Sequence, residues 1–188
     1  MDYLIKKDNI SITVNSKGAQ MTSIIYNAKE RLWQNENGSW GKHAPILFPH
    51  AGKCSIVVDG KHYPDQFHGF GRDLEFDLVD LQKDSITQIL KNSDFTKNTY
   101  PFDFNLTIKY TCLDNGILIE QTVKNPSKEV IYFFIGAHES YALDSGVENY
   151  YVEFENEEEF NENVINTGSV YGSNHNAIDL GSSMLDNA

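Results

Sequence analysis

The chain has 188 residues, 15 Lys plus Arg against 27 Asp plus Glu, and a formal net charge of −12. That length supports one globular domain with its own core, and an acidic surface of this size repels phosphate backbones, so nucleic acid is not an expected partner. The N-terminus MDYLIKKDNISITVN has neither the apolar stretch nor the cleavage site of a signal peptide, and no window approaches about 18 apolar residues, so a cytoplasmic protein with no membrane partner is expected.

In chain order, short runs rich in Ile, Val, Tyr, Phe and Thr alternate with Asn, Asp, Gly and Pro. They are ISITV (10–14), MTSIIY (21–26), SIVVDGKHY (55–63), LEFDLVDL (74–81) and SITQIL (85–90), then FNLTIKYTCL (104–113), GILIEQTVKN (116–125), VIYFFIG (130–136) and YYVEFE (150–155). Phe104, Leu106, Ile108, Tyr110 and Cys112 fall on one face of a strand. Asn115-Gly116 then offers the positive φ angles of a tight two-residue hairpin turn. No amphipathic helix is evident, so the expected fold is all-β, with long antiparallel strands in two packed sheets. Residues 1–188 read as a single domain, with 161–188 as loop, rich in Asn, Ser and Gly.

Cys54 and Cys112 fit no metal spacing and read as small buried apolar residues. Four histidines, His43, His50, His62 and His68, lie close in sequence, but no helical pair or cysteine supports a metal, and no cofactor is expected. The acidic run EFENEEEF (153–160) lacks the glycine and spacing of a calcium loop and reads as a solvated edge.

The stretch QFHGFGRD (66–73) has more to say. Phe67 and Phe70 flank His68 and lower the local dielectric, Gly69 and Gly71 permit close approach, and Arg72 brings a fork of donors suited to oxygen-rich ligands. A histidine there can donate to a hydroxyl or ether oxygen near neutral pH, or it can be a buried residue satisfied by a backbone carbonyl. His138, in FFIGAHESY, ends the apolar run 130–135, which would mount it rigidly at a sheet edge as a general acid. Equally, it can be a strand-end histidine bonded to Glu139. Trp33 and Trp40 are either core residues or sugar-stacking platforms.

Several fragments in order resemble the aldose 1-epimerases, or galactose mutarotases, in their LacX-like branch. They are LWQNENGSWGKHAPILFPHAGK, HGFGRDLEF, YPFDFNLTIKYTCLDNGILIEQTVKNPS and YFFIGAHESY, spread over residues 10–154. The resemblance implies a large antiparallel β-sandwich with a sugar site in a cleft on one sheet. It also implies interconversion of α and β anomers: a base removes the anomeric proton, an acid protonates the ring oxygen, and the ring opens and recloses. Carried onto this chain, it makes His138 the general acid and His68 the histidine that hydrogen-bonds and polarises the sugar. Arg72 is then a contact to a substrate hydroxyl or phosphate.

Three positions depart from the family. Lys53 stands where the family often has arginine, which weakens bidentate orientation of the sugar there. Glu139 follows the second histidine where proline is usual. The family's base, a glutamate on a late strand, has no counterpart here, and SMLDNA (183–188) resembles the start of a segment leading into further strands. The expectation is a chain that lacks the family's C-terminal third. The expected partner is a small-molecule sugar, with oligomeric state undefined. Two alternatives stay open: a non-catalytic carbohydrate-binding or sensor protein on the same scaffold, and a hexose-phosphate 1-epimerase.

Overall fold

The structure, a computed structural model, describes residues 1–35, 38, 40–64, 67–145, 149–153 and 177–179. It divides into two compact units, Met1–Ala142 and Leu143–Ala188.

In the first unit β1 (Asp2–Lys7), β2 (Ile10–Asn15), β3 (Met21–Tyr26) and β4 (Lys29–Glu30) form an antiparallel sheet in sequential order. Next come the short strands β5 (Ile46–Leu47), β6 (Ile56–Val58) and β7 (Lys61–Tyr63). A second four-stranded sheet, ordered β11-β10-β9-β8, holds β8 (Asp77–Leu81), β9 (Ser85–Lys91), β10 (Asn105–Cys112) and β11 (Ile117–Lys124). Between β9 and β10 sits a single helical turn, α1 (Asp94–Lys97), closed by a capping box between Ser93 and Thr96. Last in this unit, β12 (Gly136–Ala137) pairs with β5.

The alternation read from the sequence sets the core. Ile10, Ile12 and Val14 of β2 and Leu106, Ile108, Tyr110 and Cys112 of β10 are each at most 3% exposed, and all belong to one continuous cluster with Ile5, Ile86 and Phe104. The fold is therefore the expected antiparallel all-β architecture. Tyr110 also ties β10 to the turn after β2, its Oη donating to the Ala19 carbonyl at 2.8 Å.

Three local expectations are corrected. The run 55–63 is a hairpin rather than one strand, because Asp59 and Gly60 both take positive φ (50° and 74°) and turn β6 back onto β7. The Asn115-Gly116 turn is wider than expected. Cys112 pairs with Ile117, Leu113 N–H donates to the Gly116 carbonyl at 2.8 Å, and neither Asn115 nor Gly116 has positive φ. Finally, residues 130–135 are not a buried strand, since Val130, Tyr132 and Phe134 are 68%, 75% and 71% exposed. Regular pairing is confined to β12, for a reason visible opposite it. Residues 134–140 run antiparallel to 43–49, with Phe134, His138 and Ser140 N–H groups donating to Pro49, Pro45 and His43 carbonyls. Pro45 and Pro49 have no N–H to return, so the bonds that would complete those two pairs are missing.

The second unit contains β13 (Tyr151–Glu153) paired antiparallel with β14 (Ala177–Asp179), the latter inside the tail expected to be loop. The rest of residues 161–188, and residues 154–160 of the acidic run, lie outside the described residues. Among the described residues no helix is long and apolar enough to cross a membrane.

Candidate functional site

Phe48 organises the site from beneath. It is fully buried, with ring centroids 4.9 Å from Phe104, 5.8 Å from Tyr100 and 6.0 Å from both Phe70 and Phe133. Its carbonyl accepts from the N–H groups of both Phe70 and Gly71 at 2.9 Å. That clamp brings the HGFGRD loop down onto the backbone of residues 48–52. It requires glycine at 69, where φ is 68° and a Cβ would lie 2.2 Å from the Phe48 oxygen. Phe70 is therefore a core residue, 3% exposed, and not a wall of the site. Phe67 is 61% exposed, and its ring stands 4.1 Å from that of His68, edge to face.

His68 has φ 65°, a left-handed conformation uncommon for a residue with a side chain, and it is held there by two bonds to Gly52. Its N–H donates to the Gly52 carbonyl, and its Nδ1 accepts from the Gly52 N–H, both at 2.8 Å. An amide N–H can only donate, so Nδ1 is unprotonated and the neutral ring carries its proton on Nε2. Burial, then the positive charges of Arg72, His138 and His50, hold the His68 imidazole below the ordinary histidine value. The Nδ1 bond acts in the same direction, since the imidazolium would need that nitrogen as a donor.

His138 reaches the same place from the other side of the loop. Its backbone is anchored by the bond from its N–H to the Pro45 carbonyl at 3.1 Å, and its side chain is exposed. The His138 ring lies 6.1 Å from the His68 ring and 5.1 Å from the Trp40 ring, tilted at 52° to the latter. Trp40 is in turn positioned by its N–H bond to Asn35 Oδ1 at 3.1 Å. Two histidines and a tryptophan, contributed by three separate segments, thus meet in one half-exposed cluster. Glu139, the next residue, is half-buried. Its charge acts on Tyr141, whose phenol is pushed up first by burial and then by Glu139.

Arg72 belongs to the loop as much as to the site. Its Nη2 donates to the Phe67 carbonyl at 2.8 Å, and its Nε lies 3.5 Å from Asp73 Oδ2. Lys42, which sequence reasoning missed, bonds Asp73 Oδ1 at 2.6 Å and the Arg72 carbonyl at 3.3 Å. Lys53 is exposed and follows directly on Gly52. Cys112 is buried as expected, whereas Cys54 is only half-buried. Trp33 is half-buried, and its carbonyl accepts from His43 Nδ1 at 2.9 Å. No group of three or more His, Cys, Asp or Glu among the described residues is placed to hold a metal ion.

The antiparallel all-β architecture is that of galactose mutarotase-like folds. The comparisons agree. The family profile for aldose 1-epimerase matches residues 1–185, and the chain belongs to that family. The plasmid and chromosomal LacX proteins of Lactococcus lactis subsp. lactis are 31% identical to it over 153 residues. The match takes in 75% of this chain and 50% of each of theirs, so the chain spans about half the length of these relatives. A galactose mutarotase related enzyme from Lactobacillus acidophilus superposes with a TM-score of 0.76 at 32% identity, over 80% of this chain and 53% of that one. A galactose mutarotase-like protein from Lactobacillus casei superposes with a TM-score of 0.86 at 25% identity, over 100% of this chain and 70% of that one.

Proposed function

We propose that these residues form the acid side of a sugar anomerase, which interconverts the α and β forms of a free aldose by opening and reclosing its ring. The observation that carries this reading is the 6.1 Å approach of His68 and His138 beside Trp40. In it, Trp40 offers a π face to the polarised C–H groups of a pyranose. His68, neutral and with its proton on Nε2, donates a hydrogen bond to a sugar oxygen without competing for the proton being transferred. His138, exposed on an anchored backbone, delivers a proton to the ring oxygen as the ring opens. The anomeric hydroxyl needs a base on its other side, and within residues 1–188 the sequence offers no family counterpart for the glutamate that fills this role. The step assigned to this chain is therefore proton donation and sugar orientation, with no cofactor.

A neutral sugar fits better than a sugar phosphate. Lys42 and Arg72 are both spent on Asp73 and on loop carbonyls, which leaves Lys53 as the exposed cation of the set. Polarimetry on purified protein with a freshly dissolved aldose tests the reading. Where the base is also supplied, accelerated mutarotation is expected; sugar binding without acceleration under that condition supports a binding or sensor protein on the same scaffold. In active protein His138→Ala lowers turnover by about 10²–10⁴-fold with little change in sugar affinity. His68→Ala weakens affinity and turnover together. Small and equal effects of the two substitutions would remove the role assignment.

A further inference from the structure

His50 is 4% exposed, carries an ionisable ring, and has no part in the chemistry above. Its Nδ1 lies 3.2 Å from the Gly52 carbonyl oxygen. A carbonyl can only accept, so His50 holds its proton on Nδ1, the opposite tautomer to His68. The Gly52 carbonyl therefore receives two donors, His50 Nδ1–H and the His68 backbone N–H, while the Gly52 N–H caps His68 Nδ1. Packing does not hold this glycine: φ is 71°, and a Cβ placed on it would meet nothing within 4 Å. Hydrogen bonds are what fix its orientation, and two histidines supply them.

We propose that His50 is a positioning residue that sets the tautomer of His68 by fixing the backbone conformation of Gly52. His50 Nδ1–H holds the Gly52–Lys53 peptide by its carbonyl, which orients the adjoining Ala51–Gly52 peptide so that its N–H donates to His68 Nδ1 and the His68 proton stays on Nε2. The functional value of this lock rests on the reading of His68 as a sugar donor. Besides His50, the charged groups facing His68 are Arg72 and His138, with the Phe67 ring on its edge. None of these donates to Nδ1 in the structure, so Gly52 is the group that decides the tautomer.

Nitrogen-15 NMR of the histidine rings, recorded on the protein at a pH where they are neutral, reads each tautomer directly. Wild type is expected to show His68 as a pure Nε2–H form and His50 as a pure Nδ1–H form. His50 in the Nε2–H form overturns the proposal without any variant. His50→Leu removes the donor and should turn the His68 signals into a tautomer average, with its titration midpoint moving up. His50→Asn places an amide N–H near the position of Nδ1 and should restore the pure form. An unchanged His68 in His50→Leu also overturns the proposal. If His50→Leu loses its dispersed amide spectrum, His50→Asn decides: averaged His68 tautomers in a folded protein count against the proposal, and a pure Nε2–H form supports it. The outcome is independent of the sugar reading. His68→Ala with undiminished sugar binding would sink that reading while leaving the tautomer lock intact.

Discussion

Gly69 shows how one side chain, or its absence, places the site. Its positive φ could in principle be carried by Asn or Asp, but the Phe48 carbonyl carbon lies 2.5 Å and the Pro49 nitrogen 2.7 Å from where any Cβ would sit. These are backbone atoms in a fully buried segment and cannot step aside. Gly69→Ala should therefore cost about 2–4 kcal/mol in urea unfolding and displace His68, which lowers sugar affinity. Gly116→Ala makes the informative contrast: its φ is not positive and nothing lies within 4 Å of its Cβ, so it should be neutral within about 0.5 kcal/mol. A Gly69→Ala protein as stable as Gly116→Ala would show that the loop is not clamped as described.

At the scale of elements, β3 and β4 meet through Glu30, whose carboxylate does the work of a cap. Oε1 accepts from the N–H groups of Ile24, Arg31 and Leu32 at 2.9, 3.0 and 2.9 Å, and Oε2 accepts from the Ser23 hydroxyl. Burial alone would push the Glu30 carboxyl up, but these bonds outweigh it and hold it below the usual value. A depressed carboxyl contributes stability that is present above its unfolded value and lost as pH falls through the folded one. Glu30→Gln should cost about 1–2 kcal/mol at neutral pH, discounted for partial exposure, and should flatten the loss of stability on acidification below about 4.5. Denaturant midpoints of both proteins across that range check it; parallel curves would mean Glu30 is not the titrating group. Such a cap was invisible in the sequence, because KERL carries no signal that one acidic side chain will gather three amides. The same limit explains which parts of the fold could be read beforehand. Strands β2, β9 and β10 were legible, since alternation is a local consequence of burying one face. The 130–136 run was not, because its apolar residues mimic a core strand while Pro45 and Pro49 sit far off in sequence. His68 and His138 were legible as candidates in recognisable surroundings, and the structure brings their rings to within 6.1 Å. The Gly52 links to His50 and His68, and the contact of Trp40 with His138, depend on loops closing over one another, which no local pattern encodes.

Over the molecule as a whole, apolar surface and charge pull in opposite directions. Ile56, Val57, Phe102, Val130, Tyr132 and Phe134 line an open groove of about 780 Å³, with Tyr132 and Phe134 each more than 70% exposed. Exposed aromatic surface of this kind binds amphiphilic dyes, yet the chain carries a net charge of −12 that repels an anionic one. Anilinonaphthalene sulfonate should therefore fluoresce with the native protein, and more strongly as added salt screens the repulsion. Tyr132→Ser with Phe134→Ser should remove most of that signal. It should do so at little cost in stability, because the side chains are already in water and the bond that Tyr100 Oη donates at 2.9 Å goes to the Tyr132 backbone carbonyl, which the substitution keeps. A dye signal that survives the double substitution would place the accessible apolar surface elsewhere, on the exposed Leu78, Val79 and Leu81 of β8. A signal that falls together with the unfolding midpoint would mean that residues 132 and 134 are packed and not exposed. Fluorescence and denaturation measured on the same two samples separate these cases.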